Sequence, residues 1–434
     1  MESFAEEKGK RLLQLEDMWN MRFVSSPAVS RDGKRVVFAV YTTERQTGEY
    51  RARLYEVSTG GGDVREFLPA EPGSQTCPAF SPDGRRLAFL SDRSGETQIW
   101  VVDNLARPAP RQLTTMRHGV EGFVWSPDGS RLAFTAPVFP DEPPQQIQAE
   151  MTAEERRDFE WRRENMPFVV EELMYKFDET FGLADGSRRQ IGVVTAEGGP
   201  AKLLTNEPFH HEAPAWSPDG RQLAFYAYPC GHHKATRKEI FLIPEIGLSA
   251  AQITRNSVYL GSSPVIFAPG GKSLFYTCLR EGEEDGFFLQ LCRVSLEDGA
   301  AQSLLPEDEV CHGIDPMYAG KSVYGQTNPA VQLSESGDAV YFTSGWKGFT
   351  HIYRLNLSGE PAVEQVTQGK ISVRTFCAPV QGRLVYTRSD IRSMDDLFCL
   401  DLQTGQETRL THCNPWLDEI KMQEPVEMWA DSTD

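Results

Sequence analysis

The chain is written in short apolar runs that reverse at polar turns. The clearest case is Ser217-Pro218-Asp219-Gly220 leading into Arg221-Gln222-Leu223-Ala224-Phe225. Ser81-Pro82-Asp83-Gly84 likewise leads into Arg86-Leu87-Ala88-Phe89, and Ser126-Pro127-Asp128-Gly129 into Arg131-Leu132-Ala133-Phe134. An apolar residue stands ahead of each turn: Phe80, Trp125 and Trp216. The pattern predicts strand, tight turn, strand. Proline presets φ at the second turn position, aspartate suits the turn through local hydrogen bonds, and glycine takes the φ > 0 site that closes it. Asp83, Asp128 and Asp219 are therefore turn formers rather than catalytic acids, and Trp125 and Trp216 are core.

Turns of this kind recur at 30–33, 81–84, 126–129, 217–220, 268–271, 334–337 and 379–382, the last three in decayed form. Adjacent turns are typically about 45 to 50 residues apart, the period of four-stranded propeller blades. A third strand and a short fourth follow in most units, as in Gln98 to Asp103 with Arg111 to Thr114, and His351 to Asn356 with Glu364 to Thr367. One such sheet cannot bury both of its faces, whereas radial packing buries them all. The fold expected is all-β: a seven-bladed β-propeller of four-stranded antiparallel blades over residues 23–413. Residues 1–22 form an N-terminal helical segment, with a helix over 4–21. Residues 414–434 are a linker that is not a blade.

One interval breaks the period. About 50 residues, roughly 137–188, intrude between the second and third strands of the third unit. Pro140, Pro143 and Pro144 oppose regular structure at the start, after which Thr152 and Glu155 form a capping-box signal for a charged helix ending before Pro167. Insertions in repeat folds collect on one face, often the working one.

Composition narrows the function. Hydrophobic residues make up 40 % of the chain and no run reaches transmembrane length, so no membrane partner is expected. The charged N-terminus has no signal-peptide core. Eight cysteines without CxxC spacing read as free thiols, and the expected location is cytoplasmic. A net charge of -18 argues against nucleic acid.

The Ser-Pro-Asp-Gly blades, the third-blade excursion and the phrase Tyr175-Lys176-Phe177-Asp178 resemble the N-terminal propeller of the prolyl oligopeptidase family of serine peptidases, in its acylaminoacyl-peptidase and dipeptidyl-peptidase-like branch. The tail from Leu410-Thr411-His412-Cys413-Asn414 to Glu424-Pro425-Val426-Glu427 is similar to the passage from propeller to hydrolase in such enzymes. The resemblance implies a partner α/β-hydrolase domain in cis and short peptides as substrates. No G-x-S-x-G elbow occurs in these residues, so no catalytic residue is assigned and the chain alone is expected to be inactive.

Among candidate contacts, Glu171, Glu172 and Tyr175 lie in the excursion. In some dipeptidyl-peptidase relatives paired propeller carboxylates bind the substrate amino group, a charge-assisted contact. Their plain alternative is a solvated acidic pair. Cys230-Gly231-His232-His233 with His210-His211 is the one metal-like grouping, but neighbouring histidines on a strand point to opposite faces, and neither metal nor cofactor is expected. Arg93, Arg280 and Arg388 follow second strands and are candidates to line one face. The leading reading is a non-catalytic propeller that caps and gates a peptidase active site. The alternative is a stand-alone TolB-like propeller acting as a protein-interaction module.

Overall fold

The computed structural model describes residues 9–68, 72–139, 152–165, 186–229, 238–255, 264–279, 289–305, 314, 331–358, 362–423, 425–428 and 430. The regular structure of the described residues is almost entirely β, arranged in five four-stranded sheets and one of eight strands, consistent with a β-propeller. The first sheet shows the plan: Arg22–Val29, Arg35–Thr43, Tyr50–Ser58 and Arg65–Glu66 pair antiparallel in chain order. The other four-stranded sheets begin at Gln75, Gly122, Phe209 and Ile266 and repeat it. The eight-stranded sheet, beginning at Val331, holds two such meanders, paired with each other among the described residues through the parallel match of Thr350 with Ser372.

Hydrophobic clusters lie between successive sheets. Val37 and Leu54 of the first meet Leu87 and Phe89 of the second, and Leu132 and Phe134 of the third meet Leu90 and Ile99. The series returns to its start, because Val36 and Phe38 of the first sheet pack with Val385 and Leu397 of the last meander. Arg383 adds hydrogen bonds across that seam, to the Gly33 carbonyl at 2.9 Å and the Thr59 hydroxyl at 2.6 Å. Trp125 and Trp216 are buried as expected and reach backwards by one sheet. Their indole N–H groups donate to the carbonyls of Ala79 and Val124, at 3.1 and 3.4 Å.

The Ser-Pro-Asp-Gly turns fold as their chemistry dictates. In each, the serine hydroxyl donates to the aspartate at 2.6 Å, and the glycine N–H closes on the serine carbonyl at 2.8 Å. These bonds hold the carboxyls of Asp83 and Asp219 below their ordinary range and that of Asp128 at about 2. The turns also nest: a Cβ on Gly129, Gly220 or Gly271 would touch the proline ring of the preceding turn. All the turns therefore gather at one end of the molecule. The final turn departs from the expected bounds. It is a two-residue loop, with Gln381 at φ 51° and Gly382 at φ 73° between Val380 and Arg383. Two successive left-handed residues make the primed hairpin turn, which matches strand twist better than a decayed four-residue turn.

A recurrent device of the innermost strands has no counterpart in the expectations. Ser26, Cys77 and Ala213 sit at φ of 51°, 50° and 54°, each in a β-bulge and each followed by proline. Pro27, Pro78 and Pro214 lack a donor, and a bulge on an edge strand is where a sheet tolerates that.

The N-terminal segment differs from the helix expected over 4–21. From Gly9 onward only Leu15–Asn20 is helical, as a 3-10 turn. Arg11 explains this local shape: it grips Asp17 through two 2.7 Å bonds, and Asp17 caps the Gln14 N–H at 2.8 Å. The expected packing stripe is instead open, with Leu12, Leu13, Leu15 and Met18 exposed. The excursion leaves where expected, since Val138 pairs with Arg188 across the second and third strands. Its helix, Ala153–Asn165, begins with the Thr152–Glu155 capping box.

Candidate functional site

Meander topology sends every first strand away from one end of the molecule and brings every second strand back to it. That end, opposite the nested turns, is where the chain leaves for the excursion after Val138, where the described N- and C-terminal segments pair, and where Asp17, Asp395 and Asp396 are buried. Three constructions stand there.

The first joins the termini. Arg11 N–H donates to the Glu419 carbonyl at 3.0 Å, and Lys421 N–H to the Arg11 carbonyl at 2.8 Å. Asn414 clamps the entry to the first strand, accepting from Arg22 N–H at 2.9 Å and donating to its carbonyl at 2.7 Å. Leu417 and Ile420 are buried by the 3-10 turn Pro415–Glu419, whereas Val426 and Met428 beyond it are exposed. Together with the open leucines of the N-terminal segment, they leave the joined termini rich in uncovered apolar side chains.

The second is an ionic cluster between the third and fourth sheets. Arg189 binds Glu121 at 2.7 Å and the Tyr228 hydroxyl at 3.3 Å, and that hydroxyl donates to Glu212 at 3.3 Å. Lys238 pairs with Glu212 from the other side. Burial works against the Glu212 carboxylate, but Lys238 and Arg189 prevail and hold its pKa below the ordinary value. His210 stacks on Tyr228, its ring centroid 5.0 Å away, and burial lowers its pKa to about 4, so it is neutral. Its Nδ1 accepts from the Arg189 N–H at 3.3 Å. Burial lowers the His211 pKa as well.

The third is a cavity of about 420 Å³ at the exit end of the last meander, lined by Arg388, Arg392, Asp396, Arg409, His412 and Asp418 among others. Asp396 is fixed by Thr411 at 2.7 Å and by Arg409 at 2.6 Å. Its neighbour Asp395 is buried 3.1 Å from Arg374. Burial raises the Asp395 pKa to about 6.

Glu171, Glu172 and Tyr175 lie outside the described residues, as do Arg280 and Cys230 to His233. Among the described residues no cluster of three or more metal-ligating side chains forms. Arg93 and Arg388 stay on their own sheets. Arg93 lies 4.7 Å from the Trp100 ring centroid, and Arg388 lies 4.0 Å from that of Phe398 while pairing with Glu407 at 3.0 Å. The ionic cluster was missed in the sequence because Glu121, Arg189, Glu212 and Lys238 are far apart along the chain. Glu212 alone left a trace, as an acid inside an otherwise uncharged first strand.

Residues 9–151 match the family model described as the TolB beta propeller domain. Dipeptidyl-peptidase 5 of Porphyromonas gingivalis is 24 % identical over 429 residues, covering 95 % of this chain and 57 % of that protein. The Pyrococcus horikoshii acylaminoacyl peptidase superposes with a TM-score of 0.69 at 16 % identity, over 96 % of this chain and 56 % of the peptidase. The β-propeller domain of the Trilobed protease from Pyrococcus furiosus, described as having an open velcro topology, gives 0.58 at 15 % identity, over 91 % of this chain and 99 % of that domain. The chain thus spans a little over half the length of the two peptidases. No helix of the described residues is long and apolar enough to cross a membrane. Residues 9–151 are thus similar to a TolB-like β-propeller domain, and the structures that the chain as a whole resembles in fold are acylaminoacyl peptidases, a protease propeller domain and prolyl endopeptidases.

Proposed function

We propose that this chain is the non-catalytic propeller of an oligo- or exopeptidase of the acylaminoacyl-peptidase type, capping and gating the active site of an α/β-hydrolase domain. In this reading it has seven blades over residues 23–413, the eight-stranded sheet counting as two because one parallel bridge joins its halves among the described residues. Residues 414–434 lead toward the hydrolase, and Arg11 of the N-terminal segment pairs with Glu419 and Lys421 at their start. The observation that carries the reading is the joining of the two termini, at the end opposite the turns, with Leu12, Leu15, Val426 and Met428 uncovered. Apolar side chains gathered on a chain entry and exit are suited to a covering domain. The excursion emerges at the same end, where it borders the path of an incoming peptide. Glu171, Glu172 and Tyr175 within it are assigned to contact that peptide, the carboxylates taking its free amino group.

The test joins this chain to the hydrolase domain of an acylaminoacyl peptidase and assays short acyl-peptides against a folded protein. The fusion should cleave the peptides and spare the folded protein, whereas the hydrolase domain alone cleaves with less discrimination. Equal cleavage of both substrates by the fusion sinks the gating role. In the fusion, Glu171→Ala with Glu172→Ala should raise KM for peptides with a free amino terminus and leave N-acylated ones unchanged. An unchanged KM for both removes the pair from the site.

A further inference from the structure

The sheet that begins at Ile266 holds two thiols in contact. Cys278 ends the strand Ser273–Cys278, and Cys292 lies in the next strand, Gln290–Ser295. Register places Tyr276 opposite Cys292 and Cys278 opposite Gln290, so the cysteines are diagonal neighbours on one face. Their sulfurs are 2.9 Å apart. That face packs against Tyr226 and Ile240 of the preceding sheet, which leaves the side chains little freedom to separate. Cys292 is buried, while Cys278 is partly open at the strand end.

We propose that Cys278 and Cys292 are a modification site, a dithiol that a hydroperoxide converts into a cross-strand disulfide. Cys278, the accessible member, attacks one peroxide oxygen. The O–O bond breaks, the second oxygen leaves as alcohol or water with the proton Cys278 gave up, and Cys278 becomes a sulfenic acid. The Cys292 sulfur then displaces the sulfenic hydroxyl, which departs as water with the Cys292 proton. Two thiols lose two electrons, and one hydroperoxide is reduced to one alcohol and one water. The division of labour follows from the contact. A hydrogen bond from the Cys292 thiol favours the Cys278 thiolate and lowers its pKa, while the same bond, together with burial, raises that of Cys292. Burial keeps Cys77, Cys377 and Cys413 as thiols, with pKa values of about 11, 12 and 11.

The test treats the whole chain with hydrogen peroxide, blocks the remaining thiols under denaturing conditions, and maps the tryptic peptides without reduction. Arg280 separates the two cysteines on digestion, so the disulfide appears as a linked peptide pair that a reductant splits. Cys278→Ser and Cys292→Ser should each abolish that pair. In the Cys292→Ser chain a sulfenic-acid probe should label position 278 several-fold more than in the unsubstituted chain, and in the Cys278→Ser chain position 292 should stay unlabelled. A linked pair involving any other cysteine, or oxidation of Cys278 to a sulfinic or sulfonic acid with no linked pair, overturns the proposal.

Discussion

Asp395 is the residue whose charge sits least comfortably. Burial, with Asp396 beside it, outweighs the pull of Arg374 3.1 Å away, so its pKa stands at about 6 against an ordinary 3.8. The folded chain therefore keeps this proton at pH values where the unfolded chain has released it. The contribution to stability is greatest below the unfolded value, falls as pH climbs toward 6, and is then flat. The cost above that window is on the order of 3 kcal/mol. Asp395→Asn, which cannot ionise, should stabilise the chain by about that amount at about pH 8 and by little at about pH 4. Denaturant midpoints at the two pH values measure it, and an equal effect at both removes burial of the charge as the cause. None of this was visible in the residues around Asp395. The turn aspartates were fully legible, because Asp83, Asp128 and Asp219 act within their own four residues. Asp395 depends on Arg374, on another strand.

Among the elements, the fourth strand of each meander is short, only two or three residues long, as in Arg65–Glu66 and Ala251–Gln252. A recurring clasp holds it. The hydroxyl of Thr114 accepts the Ile99 N–H at 2.9 Å and donates to Gln98 at 2.8 Å. Thr254 does the same with Ile240 and Glu239, and Thr411 with Leu397 and Asp396. Two residues earlier, Gln112, Gln252 and Gln365 each return a side-chain bond to the carbonyl of the threonine. Thr114→Val keeps the shape but leaves the Ile99 N–H buried and unpaired, at a cost of about 1–3 kcal/mol. The denaturant midpoint should fall with an unchanged slope, and Thr114→Ser should recover most of the loss. A valine chain as stable as the original would refute the clasp. The strands themselves were legible because alternation and turn chemistry are local. The clasp was half legible, since the recurrence of a terminal Arg111 to Thr114 segment was plain while the bond that explains it spans two strands. The helix expected over 4–21 failed for the complementary reason. Its apolar stripe is real, but nothing among the described residues covers it, and short helices draw their stability from such packing.

At the scale of the whole molecule the question is how the ring holds shut. Among the described residues no strand of the first sheet pairs with a strand of the last meander, so the two meet mainly through side chains. Every interface between consecutive sheets is apolar, but the others are also tied by a continuous chain. Among the described residues the seam is held by the Val36, Phe38, Val385 and Leu397 cluster, the Arg383 bonds to Gly33 and Thr59, the Asn414 clamp on Arg22, and the backbone pairing of Arg11 with Glu419 and Lys421. In a repeat fold, stability is a sum of units and interfaces, so the interface without a covalent tie opens first. Leu397→Ala should cost about 2–5 kcal/mol by leaving a cavity. Leu132→Ala, a matched cut between the second and third sheets, should cost a similar amount. The two should differ in where the chain loosens. In the Leu397→Ala chain, amides of Arg22–Val29 and Arg383–Ser389 should exchange with solvent faster while those of Phe209–Trp216 keep their protection. In the Leu132→Ala chain, the tie through 103–122 should keep the opening smaller and spread it over both neighbours. Hydrogen exchange read peptide by peptide distinguishes them, and uniform loss of protection around the ring in both chains would show that the seam is no weaker than its fellows.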